Sequence, residues 1–234
     1  MDEERRRVLA DTLGSRVLSG PFAGMELSPE ISWGFHQMPY IVGSYEEELH
    51  GVIEEMIERS PALVVDIGAA EGYYPIGFAR RLPKTTVYAI DSDARARQLC
   101  EENAQRNNVA HNVRVRDAIG PGELQEILSE DAAVVCDCEG CELELMKPEI
   151  ATRLRTAFIV VELHDFIDIS ISSTIVERFG PTHEIEIIDV QPRDPSNYPM
   201  LPATDFEWAV NEYRPVEPYP MQWAVCRPRR DYRA

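Results

Sequence analysis

Between residues 62 and 163, apolar runs of strand length alternate with stretches of helical periodicity, and this alternation constrains the fold more than any other feature of the chain. The pattern predicts strands over 62–67, 85–90, 112–116, 132–137 and 157–163, with helices over 72–82, 93–107, 122–129 and 141–154 between them. A strand that re-enters a sheet through a helical crossover runs parallel to its predecessor with right-handed connection, so the expected core is a doubly wound α/β sheet. A further helix is expected over 171–179, followed by β-like runs at 183–190 and 221–227 on either side of a Pro-rich insertion, 192–220. Paired as a hairpin, the two runs give a seven-stranded, mostly parallel sheet with an antiparallel C-terminal strand at its end.

Ahead of this core, residues 2–13 read as a short charged helix. A Gly- and Pro-bearing segment from Gly20 to Gly24 follows, then an aromatic-rich loop through Trp33, Phe35 and Tyr40. Leu49, Val52, Ile53 and Met56 recur at helical spacing over 45–58, with Ser44 as the expected N-cap. The chain thus divides into a helical and loop cap over 1–60 and a main domain over 61–234. Its 234 residues are enough to bury a substantial core.

With 41 acidic and 23 basic residues the formal net charge is −18, which opposes a polyanionic partner. Nucleic acid is therefore not expected as a substrate; the clusters Arg5-Arg6-Arg7 and Arg227 with Arg229 and Arg230 lie near the ends of the chain and make no groove. No apolar run approaches the ~20 residues of a membrane span, and the first residues lack the apolar core of a secretory signal. A cytoplasmic location follows as the expectation. Five cysteines, three of them crowded at 136, 138 and 141, do not look like a disulfide framework, in keeping with a reducing compartment.

Residues 64–72, Val-Val-Asp-Ile-Gly-Ala-Ala-Glu-Gly, join the first strand to a helix through a glycine-bearing turn, the junction at which α/β sheets bind nucleotide-like groups. Gly68 allows a backbone turn closed to residues with a Cβ, and Gly72 lets the helix pack closely. Ala70 stands where many nucleotide-binding turns have a second glycine, which hinders close approach of a pyrophosphate but not of a cofactor without phosphates. Four acids end successive strands: Asp66, Asp91, Asp117 and Asp137. In register they line the carboxyl edge, where Asp91 suits ribose hydroxyls, Asp117 an adenine amino group, and the surroundings of Asp66 and Gly68 a cationic amine.

These motifs resemble the class I S-adenosylmethionine (SAM)-dependent methyltransferases, a Rossmann-like fold, and more narrowly the FkbM-type family of small-molecule and sugar O-methyltransferases. The narrower resemblance rests on Gly43-Ser44-Tyr45-Glu46, on Asp66 to Tyr74, and on Asp137-Cys138-Glu139-Gly140-Cys141-Glu142 with Val161-Glu162-Leu163-His164 downstream. The family pattern there is Asp-x-Glu-Gly after strand four and Glu-x-His on strand five. The resemblance covers about Gly20 to Asp165 and implies SAM at Asp66, Gly68, Asp91 and Asp117. The neighbouring Tyr45, Glu46, Ala69, Gly72, Tyr73, Ser92, Ala118 and Asp137 would complete the cofactor contacts, with Asp137, Glu139 and His164 nearest the methyl group.

Methyl transfer from a sulfonium is an in-line displacement that needs alignment and, for a hydroxyl acceptor, a base. His164 is the expected base, largely neutral at its ordinary pKa, with Glu162 on the same face of the strand as an orienting partner or a co-ligand of a shared metal site. The acceptor is expected to be a small molecule, and the insertion 192–220 to serve as a specificity lid or a homodimer contact. Asp137, Glu139 and His164 could also ligate a divalent ion, but no loop spacing specifies one and none is assigned. Rival readings are N-methylation, cyclisation of SAM, a SAM binder without chemistry, a Cys138–Cys141 redox pair, and a zinc site through Cys136, Cys138 and Cys141.

Overall fold

The computed structural model describes residues 3–31, 37–129, 131–212 and 218–229. Trp33, Phe35, Tyr213 and Arg230 lie outside these, as do the side chains of Arg5 and Arg6. Seven strands, β1 (Leu63–Ile67), β2 (Thr86–Ile90), β3 (Val113–Arg116), β4 (Ala132–Cys136), β5 (Phe158–Leu163), β6 (His183–Asp189) and β7 (Gln222–Pro228), form one sheet in the order β3-β2-β1-β4-β5-β7-β6. The first five pair in parallel, and β7 runs antiparallel to both of its neighbours. This is the Rossmann-like α/β architecture expected. The antiparallel strand is last in sequence but lies inside the sheet, because the β6–β7 hairpin docks through β7 and leaves β6 at the edge.

The central strands β1, β4 and β5 are buried along their whole length, as a sheet covered on both faces requires. Alternate side chains feed two cores. Val64, Val135, Val160 and Trp223 face one side, and Val65, Val134, Ile159 and Val161 the other. The helices are α1 (Glu3–Leu13), α2 (Met38–Val42), α3 (His50–Glu58), α4 (Tyr73–Arg81), α5 (Ala94–Arg106), α6 (Pro121–Ile127), α7 (Glu142–Leu145), α8 (Pro148–Arg153), α9 (Ile171–Phe179) and α10 (Phe206–Ala209). α3 and α4 pack into the first core, α8 and α9 into the second. The N-terminal segment contributes Val17, Phe22, Met25, Leu27 and Tyr40 to the first core. Phe22 lies against Gly77 of α4, where any Cβ would stand 2.3 Å from its ring.

Two helices depart from their expected bounds. The helix expected over 141–154 is broken into α7 and α8, because Pro148 has no amide to donate and holds Lys147 extended, at φ −61° and ψ 162°. The helix expected from 45 begins as a 3₁₀ turn at Glu47–Leu49 and becomes α-helical at His50. Ser44 does not cap it; the Ser44 hydroxyl is buried without a hydrogen bond, while its carbonyl accepts from Arg193 Nε at 3.0 Å. The Pro-rich insertion holds a 3₁₀ turn at Pro195–Asn197 as well as α10, and its Tyr198, Phe206 and Ala209 pack with Leu9, Met38 and Val42 in a third small core. Among the described residues, no helix is long and apolar enough to cross a membrane.

Candidate functional site

The turn after β1 is held by backbone geometry. Gly68, at φ +87°, brings the chain so close to β4 that a Cβ would lie 1.4 Å from the Asp137 carbonyl oxygen. The Gly68 and Ala69 amides both donate to the Ile90 carbonyl, at 2.8 and 3.0 Å. Ala70 takes a left-handed φ of +43°. Its amide donates to Asp91 Oδ2 at 2.7 Å, and the Asp93 amide donates to Oδ1 at 2.8 Å, so Asp91 ties the β1 turn to the β2 turn. Gly72, at φ +97°, opens α4 where a Cβ would meet Cys100 Sγ at 2.8 Å.

These turns border a cavity of about 570 Å³ at the carboxyl edge of the sheet. Tyr45, Asp66, Gly68, Ala69, Tyr73, Asp91, Ser92, Ala118, Asp137 and Glu139 line it, as do Tyr40 and Tyr74 from the aromatic set. Tyr40, Tyr45, Tyr73 and Tyr74 pack against one another as one wall. Glu46 lies behind that wall, buried, and accepts a hydrogen bond from the Tyr74 hydroxyl. Gly72 shapes the turn and does not line the cavity. Asp117 turns away to Arg97 Nη1 at 3.0 Å, and the wall on that side is made by the residues just after it, Ala118 to Pro121. Burial raises the pKa of Asp66, and the charges of Asp137 and Asp91 raise it further.

His164 lies beneath the cavity floor, wholly buried, and does not line it. Its Nδ1 is 2.5 Å from Glu142 Oε1, whereas Nε2 faces Asp137 Oδ1 at 3.4 Å, Glu139 Oε2 at 3.5 Å and Glu162 Oε2 at 3.8 Å. The orienting partner is therefore Glu142, from the first turn of α7, and not Glu162. Burial pulls the His164 pKa down, but the Glu142 hydrogen bond and the Asp137 and Glu139 charges outweigh it, so the net shift is upward. The carboxylate cage favours a protonated ring over the largely neutral base expected. Glu139 takes the left-handed φ of +53° at the cavity rim. Burial raises its pKa, and Asp137 and Glu142 add to this against the opposing pull of His164. Of the three groups expected to be catalytic, only Asp137 and Glu139 reach the cavity.

Cys138 and Cys141 are joined in a disulfide across this same turn, the two cysteines named in the redox reading. Cys100, Cys136 and Cys226 are buried free thiols. Burial holds the Cys136 pKa well up, and with its two neighbours bonded to each other the three do not form a zinc site. The role of Glu142 was missed from the sequence although it closes the Asp-x-Glu-Gly-Cys-Glu motif. Its signal is position: a first-turn helix residue beside the end of β5.

The strand order is that of the class I SAM-dependent methyltransferase fold. Within the chain, residues 51–129, from α3 past α6, match the family described as the methyltransferase small domain. Over 102 residues the chain is 30% identical to tricin synthase 1 of Oryza sativa subsp. japonica, a match covering 43% of this chain and 38% of the length of that relative. The fold is shared with precorrin-6y C5,15-methyltransferase from Geobacter metallireducens (16% identity, TM-score 0.51, 76% of this chain and 87% of the other). It is shared as well with the human methyltransferase 10 domain containing protein (16%, TM-score 0.53, 97% of each chain). Precorrin 8W decarboxylase of Methanobacterium thermoautotrophicum has it too (18%, TM-score 0.51, 86% and 94%).

Proposed function

We propose that this chain transfers the methyl group of SAM to a hydroxyl of a small molecule, as the FkbM-type motif at Asp137–Glu142 with Glu162-x-His164 implies. The observation that carries the reading is the convergence, in one cavity, of the Gly68 turn, Asp91, and the Asp137–Glu139 rim. The donor set fits SAM: a left-handed backbone turn at Gly68 bordering the cavity, a carboxylate at Asp91 placed for the ribose, and a buried acid, Asp66, with Asp137 beside it toward a cationic centre. When bound there, SAM supplies an electrophilic methyl on sulfur. Asp91 would accept from the ribose hydroxyls, and Ala118 to Pro121 would border the base. The tyrosine wall would exclude water from the methionine side, which strengthens every charge interaction within.

Glu139 is the residue we assign to remove the acceptor proton. It is at the rim, and its raised pKa brings a carboxylate nearer the working pH of a general base. His164, out of reach of the acceptor, positions Asp137 and Glu139. The net charge of −18 and the acidic rim support a neutral or cationic small molecule over nucleic acid. The decarboxylase neighbour has the same fold, so the reaction is read from the site and not from the architecture.

Titration calorimetry with SAM and S-adenosylhomocysteine tests the reading. Binding in the micromolar range is expected, and absence of binding by either below the millimolar range would overturn it. Asp91→Ala should weaken SAM by more than tenfold, roughly 1.4 kcal/mol or more; unchanged affinity removes the ribose assignment.

A further inference from the structure

The geometry assigns a divalent-cation site to Asp137, Glu162 and His164. One ligand atom from each can be chosen so that all lie within 4.8 Å of one another. Two further observations point to an ion. His164 Nε2 and Asp137 Oδ1 are both buried without a hydrogen-bond partner, although they face each other. The separations of 3.4 and 3.8 Å from Nε2 to Asp137 and Glu162 are too long for N–H···O hydrogen bonds. The Asp137 separation suits two ligands on one ion, since atoms held ~2.1 Å from a common metal stand roughly 3–3.6 Å apart; Glu162 stands just outside that range and would have to move in slightly to join it.

The surroundings agree. Glu142 on Nδ1 holds the ring with Nε2 toward Asp137, the carboxylate–histidine arrangement that supports metal-bound imidazoles, and an ion bound at Nε2 would take the place of the proton the cage otherwise holds there. Four carboxylates surround a single imidazole, and two of them, Glu142 and Glu162, are buried, where unbalanced negative charge favours a cation. One nitrogen and two oxygen donors favour a first-row divalent ion of the Mn²⁺ or Zn²⁺ kind over Ca²⁺. His164 and Glu162 hold it from below, and Asp137, on the cavity side, leaves coordination positions open toward the acceptor. A hydroxyl bound at such a position loses its proton more readily, to Glu139 on the same rim. That role rests on the methyl-transfer reading; the site itself does not.

The probe is Mn²⁺, titrated into the full chain after chelator treatment and followed by electron paramagnetic resonance and calorimetry, with Zn²⁺ as a second ion. One saturable site is expected, with nitrogen coupling on Mn²⁺ that His164→Ala abolishes. Glu162→Gln and Asp137→Asn should each weaken binding tenfold or more. Asp137 is half-exposed, so its variant serves where the buried substitutions do not fold. Absence of saturable binding of either ion below the millimolar range, or binding unchanged in every folded variant, overturns the site. S-adenosylhomocysteine is titrated in parallel. If it binds and metal does not, this inference falls alone; if metal binds and it does not, the methyl-transfer reading falls alone.

Discussion

Two residues set opposite demands on the site. Gly68 has no side chain because the Asp137 carbonyl occupies the space a Cβ would need, at 1.4 Å, and its φ of +87° is left-handed besides. Gly68→Ala therefore adds a backbone clash to a conformational cost of about 1–2 kcal/mol. We expect a loss above about 3 kcal/mol in urea unfolding, or failure to fold. Gly51→Ala is the control: nothing lies within 4 Å of a Cβ there, in α3, and the change should be neutral or stabilising by up to about 1 kcal/mol. Equal effects at the two positions would contradict the account of the turn. Glu139 instead contributes chemistry. Glu139→Gln keeps the shape and removes the base, so turnover should fall on the order of 10² or more while SAM affinity stays within twofold; unchanged turnover would return the base to another group.

At the scale of elements, the insertion is strapped to the N-terminal segment around Arg193, with Asn197 donating to Glu47 and the Glu46 amide to Glu212 beside it. Arg193, on the chain leaving β6, reaches Glu48 Oε1 at 2.6 Å and Glu212 Oε1 at 2.7 Å, all three side chains nearly buried. Burial opposes the ionised form of Glu48, and the Arg193 hydrogen bond outweighs it, leaving the Glu48 pKa lowered. Arg193→Ala leaves two buried carboxylates without their counter-ion, a change that costs about 3–5 kcal/mol. The strap also holds the stretch from Ser44 to Glu48 that carries Tyr45 into the cavity wall, so SAM affinity should weaken along with stability. Limited proteolysis within 192–212 and urea unfolding check this; a variant as stable and as protease-resistant as the parent would show that Arg193 does not hold the insertion. The strap was not legible in the sequence, because its partners lie some 145 positions apart and no local pattern links them.

For the molecule as a whole, a buried histidine far from the site sets one arm of the pH response. His183 on the edge strand β6 is fully buried, with Nε2 3.1 Å from the Ala157 carbonyl and Nδ1 2.8 Å from the Thr182 hydroxyl. Burial lowers its pKa, the hydrogen bonds to Ala157 and Phe179 oppose this, and nearby Arg229 adds to the lowering. The unfolded chain then takes up a proton near pH 6.5 that the folded chain refuses, so this group removes stability as pH falls below about 6.5. The slope is at most about 1.4 kcal/mol per pH unit. His183→Gln keeps a donor and does not titrate. The stability difference between parent and variant should be constant above pH 7 and shift against the parent between pH 6.5 and 5, measured by urea unfolding. A difference independent of pH would mean that His183 titrates alike in both states.

The sequence by itself determined the layers, the strand succession, the glycine turn at Gly68 and the acid just after β2. These depend on periodicity and on backbone conformations that only certain residues adopt, and both are local. Tertiary structure decided the rest. The antiparallel strand went inside the sheet because a hairpin docks by whichever edge pairs best. Asp117, in register with the other acids, left the cavity because Arg97 one turn along α5 offered a counter-charge. His164, a base on paper, became a buried hub because β4, β5 and α7 bring four carboxylates around one ring, and which way those side chains turn is set by packing and not by the motif.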